Sequence, residues 1–149
     1  MKKRNLSATK QIHNFYSQKL KNPRIKKVYS EFEKNLGKYN SRNFSIAVSG
    51  GIDSMALAFL AKCHSLKKKL NHLYFTVDHK LRKNSTKEAI QTKKQLKKFG
   101  ITCDILTWKN NKTSSNFQAK AREKRYELIF QKCLKKKVNL VLTAHQKND

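Results

Sequence analysis

The sequence contains few acidic residues. Only 9 of its 149 residues are Asp or Glu, against 35 that are Lys or Arg, so the formal net charge is +26 at pH 7. A surface this positive repels itself unless it meets a polyanion, and nucleic acid is the commonest polyanionic partner. Lysines far outnumber arginines, which favours diffuse phosphate contact over bidentate base recognition. The alternative is a solvated lysine surface enlarged by compositional bias.

Other features are missing, and each absence excludes a class of protein. There is no run of about 18 apolar residues that would cross a membrane, and the basic residues 1–5 have no apolar segment behind them, unlike a secretory signal. The three cysteines form no CxxC pair. This argues against a zinc ribbon or an iron–sulfur site and favours buried thiols in a reducing compartment. We therefore expect a cytoplasmic protein with the length of one domain.

The most informative segment is SGGIDS, residues 49–54. It follows the apolar run 44–48, which is typical of a short buried strand, and it precedes an apolar helical pattern over 55–61. The glycine pair allows a tight turn. We expect this loop to present successive backbone N–H groups, and the positive end of the helix dipole, to a phosphate group. The hydroxyls of Ser49 and Ser54 would add donors.

The loop lacks the Lys-Ser/Thr ending of a Walker-type P-loop and carries Asp53 instead. A bare carboxylate would repel phosphates. Its expected use is therefore to hold a Mg²⁺ ion that bridges to the nucleotide. The alternative is that Asp53 is the N-cap of the following helix, and the two roles are compatible.

The spacing of apolar residues changes along the chain. Residues 1–42 show helical spacing in a basic background and are interpreted as a helical N-terminal extension, interrupted near Pro23 and ended at Gly37. Over residues 43–149, strands alternate with helices. The predicted strands are 44–48, 72–77, 102–108 and 138–143, and the predicted helices are one from about 55, 85–99 and 115–136. This alternation predicts an α/β fold, a Rossmann-like parallel sheet with helices on both faces.

Polar side chains follow three of the predicted strands. They are SGGIDS after the first strand, VDHKLR (77–82) after the second and TAHQKND (143–149) after the fourth. Ligands of parallel α/β sheets bind at the carboxyl ends of the strands. Three of the four aspartates, Asp53, Asp78 and Asp149, lie in these segments, as a site for Mg²⁺ and a nucleotide would require. Taken singly, Asp78 as a loop cap and His79 or His145 as structural histidines remain open alternatives.

The predicted helix 115–136 places Gln118, Arg122 and Arg125 on one face, while Phe117 and Ala121 lie along another. The helix can therefore pack on the sheet and still show two of the six arginines to the crevice. This arrangement favours oriented contact with phosphate or with a developing negative charge. A solvated basic face is the alternative.

Together, the ordered segments SGGIDS, VDHKLR, NFQAKAREKRYELI and TAHQKND resemble the N-terminal catalytic domain of bacterial tRNA(Ile)-lysidine synthetases. SGGIDS alone resembles the signature of the wider superfamily of PP-loop ATP pyrophosphatases, whereas VDHKLR and the arginine-bearing helix are the discriminating blocks. The resemblance implies an adenine nucleotide alpha hydrolase-like PP-loop domain over 43–149. The last block departs from the family, because Gln146 and Asn148 stand where its members have His and Asp.

The resemblance further implies a two-step reaction with ATP and Mg²⁺ as cofactors. ATP adenylates the C2 oxygen of the wobble cytidine, position 34, of the tRNA(Ile) that bears the CAU anticodon, and pyrophosphate is released. The amino group of free L-lysine then displaces AMP and forms lysidine. The implied partners are thus this tRNA and lysine, with no membrane, and the oligomeric state stays open.

The motif match also implies roles for individual residues. Ser49, Gly50, Gly51, Ile52, Asp53 and Ser54 would hold the triphosphate, with Asp53 as the metal ligand and a catalytic residue. Asp78, His79 and Arg82 would line the nucleotide and lysine region. Arg122 or Arg125, with His145 and Asp149, would serve base activation. Two alternatives remain: another PP-loop enzyme of thiolase or amidotransferase type, and an inactive basic RNA-binding fragment.

Overall fold

The structure, a computed structural model, describes residues 2–109 and 116–145. Within these ranges the chain forms five helices and four strands. The helices are α1 (Lys2–Lys19), α2 (Pro23–Leu36), α3 (Ile52–Lys68), α4 (Ser85–Lys98) and α5 (Phe117–Lys135), and the strands are β1 (Ser45–Ala47), β2 (Leu73–Asp78), β3 (Asp104–Thr107) and β4 (Val141–Thr143). Each predicted strand and helix is present, with ends shifted by a few residues. No helix of the described part has the length and apolar character needed to span a membrane.

The four strands form one parallel sheet in the order β3-β2-β1-β4. The chain builds outward from β1 to β2 and β3, and then crosses to the other side of β1 to add β4. The predicted parallel α/β fold is confirmed. The direction of strand addition reverses between β1 and β4, which is the place where open parallel sheets bind ligands.

Side chains alternate between the two faces of the sheet, as the period of two in a strand requires. Ile46 and Tyr74 lie on the face that packs against α3 and α4. Their neighbours Ala47 and Phe75 lie on the opposite face, in a cluster with Ile129 of α5. Helices therefore cover both faces of the sheet, as the strand–helix alternation predicts.

The N-terminal helices form an additional layer outside α3. Tyr16 of α1 is 2% exposed, stacks on Phe59 of α3 with ring centroids 5.0 Å apart, and donates its hydroxyl to the carbonyl of Phe99, 2.8 Å away. The break between α1 and α2 lies where the sequence predicts it. Asn22 caps α2 by accepting hydrogen bonds from two backbone N–H groups, and Pro23 occupies the first helical position.

Two buried histidines contact each other, His64 within α3 and His72 just before β2. His64 Nδ1 is 3.0 Å from His72 Nε2, and the His72 ring stacks on Phe44 with centroids 3.7 Å apart. The backbone N–H of Phe44 donates to His72 Nδ1 at 3.5 Å, so His72 carries its proton on Nε2 and donates it to His64. Burial, reinforced by repulsion from Lys62 and from His64 when that ring is protonated, lowers the pKa of His72 to about 4.

This histidine pair predicts acid-sensitive folding. Because the pKa of His72 is about 4 in the folded chain and about 6.5 in an unfolded one, the unfolded state gains a proton first as the pH falls. Stability is therefore complete above about pH 6.5 and is lost toward pH 4, by about 2 kcal/mol between pH 7 and pH 5. Urea titrations at the two pH values measure the loss. The His72→Phe variant should lose less stability between these two pH values. If the free energy of unfolding of the unsubstituted chain were the same at both pH values, the assignment would be contradicted.

Candidate functional site

A crevice of about 290 Å³ opens at the carboxyl ends of β1, β2 and β4. It lies at the switch in strand order, as expected for a ligand site in a parallel sheet. The lining residues from the predicted set are Ser49, Ser54, His79, Arg82, Arg125 and His145. The structure thus brings together side chains from the loops after three strands and from α5, which are as much as 96 positions apart in the chain.

The loop of residues 49–51 turns tightly between β1 and α3. Gly50 has φ +91°, and a Cβ built on it would lie 2.5 Å from Thr92 Oγ1 of α4. A side chain there would meet both strained backbone and a buried neighbour. Gly50 therefore lets α4 approach the loop closely.

The hydrogen bonds of this loop differ from the expectation. The backbone N–H groups of Ser49 and Gly50 donate to Ser54 Oγ at 3.1 and 3.2 Å, and the Ser54 hydroxyl donates to the carbonyl of Gly51 at 2.9 Å. Ser54 is 4% exposed, so its hydroxyl organises the loop from inside. The N–H groups that lack a helical partner are those of the first turn of α3, because a helix leaves its first amides unpaired.

Asp53 lies in this first turn and is exposed. The N-cap of α3 is Gly51, with no side-chain cap, so the alternative role of Asp53 as the cap is not what the structure shows. Within residues 2–109 and 116–145 its carboxylate has no hydrogen bond or ion pair. A carboxylate that is unpaired at a helix start, beside a tight loop, is a suitable oxygen ligand for Mg²⁺. Ile52, which precedes it, is 88% exposed.

A complete metal site is not formed by the described residues alone. They contain no group of three or more His, Cys, Asp or Glu side chains placed to hold an ion. Asp149, the other predicted acidic residue near the strand ends, lies outside the described residues. Magnesium commonly keeps several waters and takes one or two carboxylates together with substrate phosphates. Asp53 therefore fits a Mg²⁺ ion that arrives with the nucleotide.

Asp78 is buried and holds the loop that follows β2. Its carboxylate accepts hydrogen bonds from Thr86 Oγ1 at 2.7 Å and from the Lys80 N–H and Ser85 Oγ at 3.0 Å each. Burial alone would raise the pKa of Asp78, but these hydrogen bonds outweigh burial and lower the pKa below its ordinary value. In the structure Asp78 therefore has the loop-capping role, and it joins β2 to the start of α4.

His79, the next residue, pairs with Arg125 of α5. Arg125 donates from Nε and Nη2 to His79 Nε2, at 3.4 and 3.2 Å. Burial, together with the charges of Arg125 and Arg82, lowers the pKa of His79, although Asp78 opposes the shift. His79 is thus neutral with its proton on Nδ1, and that buried atom has no partner among the described residues. The histidine orients Arg125 without neutralising its charge.

The face of α5 predicted to carry arginines does border the site. Gln118 and Arg122 line a wider space that adjoins the crevice and shares Arg125 and His145 with it. Arg125 lies within the crevice wall itself, while Arg122 lies one turn farther out and is exposed. The structure thereby distinguishes two arginines that the motif match leaves equivalent.

Two contacts involve residues that the sequence analysis did not single out. The hydroxyl of Tyr126 is 2.7 Å from His145 Nε2, so α5 orients a second histidine beside the one held by Arg125. Tyr126 follows Arg125 directly within the block NFQAKAREKRYELI. This position is the one signal in the sequence that could have indicated a role for Tyr126 in the site. Thr92 contacts the loop at Gly50, and nothing in its position within a lysine-rich helix indicates this role.

Comparisons with known proteins were consistent with this geometry. The PP-loop domain family matches residues 19–149. The tRNA(Ile)-lysidine synthase of Anaplasma marginale is 37% identical over 110 residues, covering 73% of this chain and 24% of the relative. That of Rickettsia typhi is 35% identical over 131 residues, covering 82% of the chain and 29% of the relative. The chain thus spans about a quarter of the length of these curated relatives.

Two solved structures share the fold. The U34-tRNA thiolase NcsA of Methanococcus maripaludis, with its [4Fe-4S] cluster, has a TM-score of 0.68 at 20% identity and covers 82% of this chain and 46% of that one. The NH3-dependent NAD synthetase of Campylobacter jejuni has a TM-score of 0.56 at 18% identity, covering 83% and 56%. At these identities the likeness concerns the fold.

Proposed function

Because the chain belongs to the PP-loop domain family, we propose that it is the ATP-binding catalytic part of a tRNA(Ile)-lysidine synthetase-type ligase, acting in the cytoplasm. The observation that carries the proposal is the convergence on one crevice of the loop after β1, the loop after β2, the arginines of α5 and His145. These are the four segments on which the resemblance rests. The curated relatives named lysidine synthase support the same assignment.

In the proposed reaction, the C2 oxygen of the wobble cytidine attacks the α-phosphate of ATP, and pyrophosphate leaves. The amino group of free lysine then attacks C2 and displaces AMP. Adenylation converts a poor leaving oxygen into a good one. The loop of residues 49–54 would hold the triphosphate, and Mg²⁺ held by Asp53 would offset the negative charge of the departing pyrophosphate.

The loop would change its hydrogen bonds when a nucleotide binds. In the structure Ser54 Oγ accepts the N–H groups of Ser49 and Gly50. A phosphate oxygen is a stronger acceptor than a hydroxyl because it is charged. We propose that the phosphate takes over these N–H groups and that the Ser54 hydroxyl keeps its bond to the Gly51 carbonyl.

Arg125 is the arginine that we assign to charge stabilisation at the reacting centre. It lies in the crevice wall and is held by neutral His79, so its charge remains available to a phosphate or to the developing negative charge on the base. Arg122, His145 and Asp149 would act on the tRNA base. Asp78 contributes by fixing the loop that carries His79 and Arg82.

The cysteines separate this proposal from the iron–sulfur branch of tRNA thiolases. Cys63 lies on the side of α3 that packs against the N-terminal helices, Cys103 lies on one face of the sheet and Cys133 on the other. All three are buried, and burial raises the pKa of Cys63 and of Cys103 to about 12. Buried thiols in three separate clusters cannot share one iron–sulfur cluster, so the cysteine placement favours ligation over cluster-dependent sulfur transfer.

The decisive experiment supplies the chain with Mg-ATP, labelled lysine and a transcript of tRNA(Ile) bearing the CAU anticodon. We expect tRNA-dependent pyrophosphate release and labelled lysine in the tRNA, and neither with the same transcript carrying U34. Pyrophosphate release without lysine transfer would instead indicate another PP-loop nucleotidyl transferase. If neither this chain nor a longer parent protein turned over ATP, the inactive RNA-binding alternative would hold.

A further inference from the structure

We propose that the exposed face of α4 binds the phosphate backbone of RNA. This face is defined by Lys87, Lys94 and Lys98, and we call it the α4 lysine face. That this RNA is a tRNA stem rests on the proposed function. That this surface binds RNA is inferred from the position and charge of the three side chains.

The three lysines lie on the side of α4 that points away from the sheet. Spaced by seven and then four residues, they share one face at 3.6 residues per turn. The opposite side of the helix is buried and consists of Ser85, Ala89, Thr92 and Leu96. All three lysines are exposed. The apolar side of α4 thus packs in the core. The exposed side is polar, which suits contact with phosphates and does not suit insertion into a membrane.

Acidic partners offset part of the positive charge of α3 and α5, whereas the lysines of α4, like those of α2, have none among the described residues. Glu33 pairs with both Lys67 and Lys68 of α3, and Glu127 pairs with Lys124 within α5. By contrast, none of the five lysines of α4 has a hydrogen bond or ion pair in the described ranges. The single acidic residue of the helix, Glu88, is 3.7 Å from Arg82 instead.

Repulsion within α4 makes this arrangement costly for the free protein. Lys94 and Lys98 are four residues apart, as are Lys93 and Lys97. Like charges at this spacing destabilise a helix. A polyanion laid along the helix removes the repulsion and releases its own counterions. The unpaired lysines therefore suit a bound state with nucleic acid.

The helix that carries the α4 lysine face begins at the crevice. Ser85 and Ala89, in the first turns of α4, line the crevice wall, and the helix extends from there for about 20 Å at 1.5 Å per residue. An RNA stem lying along α4 would have its backbone on the lysines and its loop at the end where the crevice opens. A base of that loop could then enter the site while the stem stays outside.

The test compares two triple variants with equal loss of charge. Lys87→Gln, Lys94→Gln and Lys98→Gln together remove the α4 lysine face, and glutamine keeps a helix propensity close to that of lysine. The matched control replaces three exposed lysines of α2, namely Lys26, Lys27 and Lys34. Binding of the CAU-anticodon tRNA(Ile) transcript is measured from 50 to 200 mM salt.

We expect the α4 variant to lose roughly tenfold or more in affinity and to show a salt slope shallower by about 2 to 3, since each phosphate contact contributes about 0.7 to 0.9 to the slope. The α2 variant should stay near the unsubstituted chain. Equal losses in both variants, or no RNA binding by the unsubstituted chain, would overturn the α4 surface. The α4 surface would also be overturned if the α4 variant lost binding to phosphatidylserine vesicles but kept its affinity for RNA. Failure of lysine transfer with the α4 effect intact would overturn the proposed ligase activity alone.

Discussion

Replacing Asp53 by Asn is expected to reduce ATP-dependent pyrophosphate release by roughly a hundredfold or more, because the amide cannot supply the negative charge that binds Mg²⁺ beside the triphosphate. The carboxylate is exposed in the first turn of α3 and has no partner among the described residues. Its removal should therefore leave the fold intact. Initial rates of pyrophosphate release, followed over a range of Mg²⁺ concentrations, measure the effect.

The matched control for this prediction is Asp104→Asn. Asp104 is likewise an exposed aspartate, but it begins β3, the edge strand beyond β2, and it does not line the crevice. The variant loses the same charge and should retain the rate of the unsubstituted chain. A normal rate in Asp53→Asn, or an equal loss in both variants, would refute the metal-binding role.

Replacing Gly50 by Ala is expected to lower the free energy of unfolding by about 2 kcal/mol or more and to eliminate stabilisation by Mg-ATP. Two costs add: a φ of +91° that L-residues rarely adopt, and a Cβ that would lie 2.5 Å from Thr92 Oγ1. The loop must shift to relieve the strain and the close contact. This shift displaces the backbone N–H groups that we propose bind the phosphate. Thermal melts with and without Mg-ATP report both effects.

Gly51→Ala is the matched control, since this neighbouring glycine has φ −71° and its added Cβ would meet only Ser49 Oγ, at 3.6 Å. We expect a smaller loss, about 1 kcal/mol, because alanine is a poor N-cap. Adding Thr92→Ala to Gly50→Ala should recover the part of the loss due to the clash. If the two single glycine variants behaved alike, the close approach of α4 to the loop would not be the cause.

The secondary structure was predictable from the sequence because its signals are local. Apolar residues repeat with the period of a strand around Ile46 and with the period of a helix after Gly51, and Pro23 and Asn22 mark the start of α2. These patterns depend on neighbours within a few residues. The parallel sheet was also predictable, because strands that alternate with helices have few other arrangements that bury the apolar faces of both.

The roles of individual polar residues were less predictable. Asp78 and Asp53 are both aspartates at strand ends, yet one is 1% exposed with three hydrogen bonds and the other is exposed and unpaired among the described residues. Likewise, Ser54 faces inward to hold the loop. Such differences depend on how the folded loop places polar groups around a side chain, and a motif records only the identity of the residue.

The sequence by itself determined the strands and helices, the α/β class, the tight glycine-containing turn after β1 and the strongly positive charge. Only the tertiary structure decided the strand order β3-β2-β1-β4, the pairing of Arg125 with His79 and of Tyr126 with His145, and which lysines lack acidic partners. The reason is physical. Periodicity and turn chemistry act between near neighbours, whereas these contacts join residues separated by 19 to 46 positions and exist only once the core has packed.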